Sequence, residues 1–393
     1  MHVNLLMFGA RRSLDLFVRG IFLGCFVFLL TMVQSGYAQD YSALKTKYVK
    51  MKDKIETAQT AYETACKIDT DRNLTSDFLT RLYQLREVDN LNQKTTSVVE
   101  KLRHYRVIFV TGIIFNVVDW NFWDSYYQEI FEWGEANNLN FEKAPLDYDG
   151  KLPSENGADQ NEYVEPNASP AFNENAIKKL IEDDDASNLP VIFVSHSKGS
   201  NDVAYFLMKN PKYWNRQNAR VKGWLSLNPA FWGSTLSEDT VRNPLASMAA
   251  YFFAQKERDR VQSAGEFQKM LSITGALEKY YPDNTVNPEL LDVLKSPFLK
   301  ILNFKSFVSG DHAAKSPAMV VRENLPLGYH EEAPTDGFVW YPSMEIPCVR
   351  FIGVEGYDHW DLIKPSNRID ECGDPISVIP EWITLFENFF EIS

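Results

Sequence analysis

The chain has 393 residues, 45% hydrophobic, 24% charged and 13% aromatic, a composition that supplies a large apolar core and excludes a disordered or fibrous polymer. Forty Lys and Arg against 53 Asp and Glu give a formal net charge of −13. With no concentrated basic stripe, that balance argues against nucleic acid or a general anionic membrane surface as the partner. Nineteen Gly and nineteen Pro without a fixed repeat period leave out collagen-like, solenoid and low-complexity architectures.

Residues 1–38 carry Arg11, Arg12 and Arg19 against Asp15, then an apolar run over 20–33 and the small residues Gly36 and Ala38. A basic start, a short apolar stretch and small residues at −3 and −1 from a cut after Ala38 describe a signal peptide. The apolar run is too short to span a bilayer comfortably. An exported protein, periplasmic or extracellular, is the expectation. Export alters the reading of Cys66, Cys348 and Cys372, since an oxidising compartment allows one bridge among them with one cysteine left over. Cys348 and Cys372 flank a candidate histidine and are the expected pair, three buried free thiols being the alternative. No Cys/His spacing resembles a structural zinc site, so no metal is expected.

Residues 41–104 read as two amphipathic helices, over about 41–68 and 76–103, broken at Asp69-Thr70-Asp71-Arg72-Asn73. Tyr48, Met51, Ile55, Ala58 and Tyr62 recur at helical spacing. The expectation is an N-terminal helical hairpin laid on the main domain. It has no catalytic pattern, but it offers a surface for a protein partner.

From His104 short apolar runs alternate with helical stretches. Strands are expected over 106–112, 140–145, 190–195, 221–227, 301–308 and 349–354, and helices over 122–134, 171–181, 198–209 and 381–390. This alternation implies an α/β fold over 105–393, a mainly parallel sheet covered on both faces, with ligands beyond the carboxyl ends of the strands. Residues 235–298 interrupt it with helical sequence, including 246–255 and 261–271, long enough for a helical cap or lid. The acidic run Glu182-Asp183-Asp184-Asp185 is expected as a solvated loop, with a calcium site as the lesser alternative.

The decisive stretch runs from Val191 through Ser195-His196-Ser197-Lys198-Gly199 into Leu207. A buried strand turns sharply into a helix, the context of a nucleophile elbow. So sharp a turn needs small residues two before and two after the nucleophile, here Ser195 and Gly199. Ser197 would sit at the helix N-terminus, where the dipole favours developing negative charge. Ser195 departs from the commoner glycine.

With these residues the chain resembles the α/β-hydrolases, in particular their secreted lipase and esterase branch, over residues 105 to 391. The resemblance implies an oxyanion loop at Thr111-Gly112-Ile113, whose donor would be the backbone N–H of Ile113 paired with that of Lys198. Thr111 stands where a histidine is common, a change that backbone donors tolerate. The family's chain order of serine, acid and histidine leaves His312, His330 and His359 as bases. His359, just past the last strong strand, fits best, while His196 is expected to pack beside the elbow. Asp336, in Thr335-Asp336-Gly337, resembles the lipase acid motif at a spacing that leaves room for one strand before His359. Asp311, directly after the preceding strand, is the alternative acid on topology. Trp120, Trp123, Trp232, Trp340 and Trp360 follow strand ends or site residues and are expected to wall an aromatic cleft.

The function implied is a serine hydrolase of carboxylic esters, lipase- or esterase-like, acting on a small-molecule or lipid ester through an acyl-enzyme without a cofactor. Thioesterase, peptidase and acyltransferase chemistry use the same constellation, and a catalytically silent binding protein is the alternative from another class.

Overall fold

Runs such as Val107-Ile108-Phe109-Val110 and Val191-Ile192-Phe193-Val194 show no polar alternation, as befits strands buried on both faces. In the computed structural model they lie at the centre of a six-stranded sheet. The structure describes residues 41–67, 71–87, 95–112, 126–144, 170–182, 188–235, 237, 271–309, 316, 318–319, 334–364 and 376–392. The chain divides into two compact units, Met1–Val49 and Lys50–Ser393, and the sheet belongs to the second. The expected signal peptide lies outside the described residues.

The strands are β1 (Arg106–Val110), β2 (Asn140–Lys143), β3 (Val191–His196), β4 (Val221–Leu227), β5 (Lys300–Phe307) and β6 (Arg350–Glu355). Each falls within about a residue or two of its sequence expectation. All pair in parallel, in the order β2-β1-β3-β4-β5-β6. After β1 the chain builds outward on one side to β2, then returns to add β3 on the other. Such a reversal of strand order is a topological switch point, where open parallel sheets bind ligands at their carboxyl ends.

The helices are α1 (Tyr41–Cys66), α2 (Thr75–Arg86), α3 (Thr96–Leu102), α4 (Gln128–Ala136), α5 (Pro170–Glu182), α6 (Gly199–Lys209), α7 (Ile273–Tyr280), α8 (Pro288–Leu294) and α9 (Ile379–Glu391). Strand alternation assigns their layers. On β4, Gly223 faces α9, and a Cβ there would lie 2.1 Å from the Phe389 ring. Trp224 and Ser226 point the other way, and Ser226 donates to Ser200 of α6 at 2.9 Å. The α6 face also carries α5 and α8, whereas α9 packs with α2, α3 and α4. The described part of the expected cap, 271–298, thus places α8 beside α6. Residues 238–270 lie outside the described residues.

The second expected N-terminal helix is two, α2 and α3, with residues 88–94 between them outside the described set. The loop before α2 is woven into the sheet. Leu74 N–H donates to the Phe351 carbonyl at 2.8 Å and Phe351 N–H to that of Arg72 at 2.9 Å, a one-residue parallel bridge at Asn73 along the outer edge of β6. Arg81 grips Glu387 of α9 through two nitrogens at 2.6 and 2.7 Å, and Arg86 pairs with the buried Glu381.

Cys348 is bonded to Cys66, with Cα atoms 6.1 Å apart, which corrects the expected Cys348–Cys372 pair; Cys372 lies outside the described residues. Nearness in sequence misled, because the end of α1 runs beside the turn before β6. Gln59 donates there to the Pro342 carbonyl at 2.7 Å, and Arg72 to that of Val349 at 3.2 Å. The bridge joins residues 282 apart and so restricts the unfolded chain strongly. Cys66→Ser is expected to lower the unfolding free energy in a denaturant titration by about 2–5 kcal/mol. Non-reducing peptide mapping should recover the Cys66–Cys348 link, and a Cys348–Cys372 peptide would overturn it.

Candidate active site

Only Ser197 and Lys198 separate the end of β3 from the start of α6. A turn that short forces Ser197 into the left-handed region, with φ of +54°, at a cost of about 1–3 kcal/mol for a residue with a Cβ. Backbone bonds hold it there. Ser197 N–H donates to the Leu227 carbonyl at 3.0 Å, and the Ser197 carbonyl accepts from Ser200 at 3.1 Å and Ala230 at 3.3 Å. Two glycines make room. A Cβ at Gly199 would stand 2.4 Å from the Thr111 carbonyl oxygen, and one at Gly112 would stand 2.6 Å from Ser197 Cβ. Ser195, in place of the commoner glycine, accepts from Trp224 Nε1 at 2.7 Å and meets Ser200 Oγ at 2.9 Å. Its extra atoms are therefore absorbed in a buried hydroxyl network.

His359 follows β6 past a turn at Gly356, where φ is +91°. Its Nδ1 lies 2.5 Å from Asp336 Oδ2 and its N–H donates to the Asp336 carbonyl at 2.9 Å. Asp336 is fully buried, and its other oxygen accepts from Phe338 and Val339 N–H at 2.9 and 2.8 Å. That pattern leaves an acceptor-only carboxylate aimed at the imidazole. Asp336 is far along the β5–β6 connection, yet Val308 N–H donates to the Thr335 carbonyl at 3.0 Å, which returns the Asp336 turn to the end of β5. The Asp336 turn thus lies beside the end of β5, where the topological argument looks for an acid. Asp311 lies outside the described residues.

Serine and imidazole belong to neighbouring loops. His196 reaches from the elbow to within 2.7 Å of the His359 carbonyl, with ring centroids 4.6 Å apart. Among the described residues Ser197 Oγ has no hydrogen-bond partner, and contacts between nucleophile and base are often loose until substrate binds. With the turn at Ser197 after β3, the carboxylate docked at the end of β5 and the imidazole after β6, all on one edge of a parallel sheet, the architecture is decided. The chain has the α/β-hydrolase fold.

The chain also encloses charges that were not singled out from the sequence. Lys198 and Asp202, both fully buried, pair at 2.8 Å, and Asn173 also donates to Asp202 at 3.0 Å. The i,i+4 spacing of Lys198 and Asp202 on α6 was the available signal. Burial pushes the Asp202 carboxyl up against those partners. Among the described residues Lys279 Nζ is enclosed without a hydrogen-bond partner, 4.7 Å from the Tyr205 and Tyr280 ring centroids. Burial, with Lys198 and Lys209 adding to it and Asp202 opposing, brings Lys279 down to about 7. Asp358, beside the imidazole, accepts from Trp360 N–H at 2.8 Å and Ser316 Oγ at 2.9 Å, and burial and then the Asp336 carboxylate raise it against those bonds.

Of the expected wall tryptophans, Trp360 lies with its ring tilted 4.9 Å from that of Phe338, itself 5.2 Å from the His359 ring. Phe338 was not singled out from the sequence, although it sits two residues after Asp336. Trp232 and Trp340 are fully buried. Trp232 donates Nε1 to the Glu345 carbonyl at 2.7 Å. Ile113, Trp120 and Trp123 lie outside the described residues. Among the described residues no three His, Cys, Asp or Glu side chains converge as a metal site.

No family model and no curated protein matches the chain. Solved structures do. A metagenomic carboxyl esterase, MGS0156, is 15% identical over 73% of this chain and 75% of its own, with a TM-score of 0.45. The mature lipase BlEst2 of Bacillus licheniformis is 20% identical over 66% and 86%, with a TM-score of 0.37. The carboxylesterase CesB of Bacillus subtilis is 12% identical over 73% and 84%, with a TM-score of 0.31. Likeness this remote leaves activity to be argued from the chain's own geometry.

Gly112→Ala is expected to push the elbow out of place and slow serine labelling by a fluorophosphonate about 10²-fold, with the circular dichroism spectrum unchanged. Lys279 yields a pH dependence. Its folded value is about 7 and its ordinary value 10.5, so between them the unfolded chain holds a proton that the folded chain lacks. This group therefore makes stability rise from pH 7 toward 10.5. Lys279→Met should raise the thermal midpoint at pH 7 and flatten that rise.

Proposed function

We propose that this chain is a serine hydrolase of carboxylic esters in which Ser197 is the nucleophile, His359 the general base and Asp336 the residue that orients the base. The observation that carries the reading is the buried Asp336 carboxylate 2.5 Å from His359 Nδ1, on the sheet edge that also holds the strained Ser197. With Nδ1 bonded to Asp336, His359 Nε2 is left to take the Ser197 proton. The Ser197 oxygen then attacks the ester carbonyl, and the tetrahedral oxyanion is held by the N–H groups of Lys198, at the start of α6, and of Ile113 after Gly112. His359 hands its proton to the departing alcohol. Water, deprotonated by His359, then cleaves the acyl-enzyme and frees Ser197. Asp336 stabilises the imidazolium in both halves without taking a proton.

The paired Phe338 and Trp360 rings beside His359 favour an apolar acyl or aryl group, as in a lipid-like ester. Export rests on the leader-like residues 1–38 and is supported by the Cys66–Cys348 bond, which suits an oxidising compartment.

Fluorophosphonate labelling and turnover of p-nitrophenyl esters of increasing chain length test the proposal. Ser197→Ala should abolish both, and Asp336→Asn should lower kcat about 10⁴-fold. Asp311→Asn should retain activity, and the reverse outcome for the two aspartates would move the acid to Asp311. A wild-type chain that takes no label would overturn the serine-hydrolase reading, as the binding-protein alternative expects.

A further inference from the structure

In the sheet, β4 and β5 lie between β3 and β6, so the strands that deliver Ser197 and His359 are about 14 Å apart. The histidine loop must lean back across the sheet edge, and a side chain next to the serine receives it. His196 Nε2 is 2.7 Å from the His359 carbonyl oxygen and its Nδ1 is 3.3 Å from the Tyr126 hydroxyl. A carbonyl only accepts, so Nε2 carries the hydrogen, and Nδ1 of the neutral ring then accepts from Tyr126. The neighbouring Tyr127 N–H donates to the Ile363 carbonyl at 2.8 Å, so the same short segment braces both His196 and the far end of the histidine loop. Asn228 adds a longer contact to the Asp358 carbonyl at 3.4 Å.

From this we infer that His196 is a positioning residue, a one-tautomer tether from the nucleophile strand that sets where the His359 imidazole stands relative to Ser197. The inference rests on the assignment of Ser197 and His359 above. Asp336 fixes the ring's rotation from one side, and His196 fixes the backbone that carries the ring from the other. Burial, and then the neighbouring His359, hold His196 far below the usual histidine range. It therefore stays neutral and sets no second positive charge beside the imidazolium that forms on His359.

Three variants and one spectrum test this. His196→Leu removes the donor, His196→Gln keeps an N–H at about the reach of Nε2, and Tyr126→Phe removes only the hydroxyl that braces Nδ1. With a p-nitrophenyl ester, His196→Leu should lower kcat about 10²-fold with KM within about twofold. His196→Gln should recover most of that loss, and Tyr126→Phe should lower kcat severalfold. Wild-type kcat in a folded His196→Leu chain, or an equal loss in the folded Leu and Gln variants, would overturn the tether. If His196→Leu does not fold, the Gln and Phe variants decide. Nitrogen-15 histidine spectra of the wild-type protein should show His196 neutral with its hydrogen on Nε2. A protonated ring or the other tautomer would overturn the inference even in a chain that takes no fluorophosphonate label, an outcome that defeats only the catalytic assignment.

Discussion

One backbone angle organises the carboxyl edge of the sheet. Ser197 is held at a φ of +54° because the chain must leave β3 and enter α6 within two residues, and the angle persists only where its surroundings over-determine it. The Leu227 carbonyl and Ala230 N–H supply the hydrogen bonds, while Gly112 and Gly199 supply the space, each lacking a side chain where a Cβ would collide. β1, β3 and β4 thus converge on one hydroxyl-bearing residue. The parallel sheet is what lets them do so, since all its strands end on the same side.

Asp336 and His359 answer a different constraint, distance along the chain. Asp336 and His359 are 23 residues apart, and each is returned to the sheet edge by backbone pairing, Thr335 to Val308 and His359 to Asp336. Their side chains meet because their main chains already do. The buried carboxylate has one oxygen occupied by two N–H groups, so the other is committed to the imidazole and the ring has few orientations open to it.

Much of this could be read in advance. Unbroken apolar runs such as 107–110 and 191–194 announce strands covered on both faces, and the small residues around Ser197 announce a sharp strand-to-helix turn, because local sterics govern both. What could not be read is what depends on the return of distant segments. A loop's path is not written in its length, so the return of the Asp336 turn to the end of β5 through the Val308–Thr335 pairing was not legible. Cys348 was matched to its nearer neighbour in sequence, whereas its partner lies at the end of a helix near the other end of the chain. Trp232 follows a strand end as expected, but its indole N–H had a carbonyl to satisfy in the interior. His196 was legible as a neighbour of the elbow and not as a bridge, since its acceptor follows a strand three places further across the sheet.

The bridge at Asn73 has a wider consequence. β6 is the outer strand of the sheet, and an unprotected outer strand offers its N–H and C=O groups to any other chain. Here the loop before α2 occupies part of that margin, and the ion pairs of Arg81 and Arg86 pin α2 to the helix beneath it. The hydrolase-like portion is consequently not an autonomous module that begins at β1. A fragment started there would bare an adhesive border and lose one end of its covalent clasp, so the early helices belong to the smallest piece that stays monodisperse.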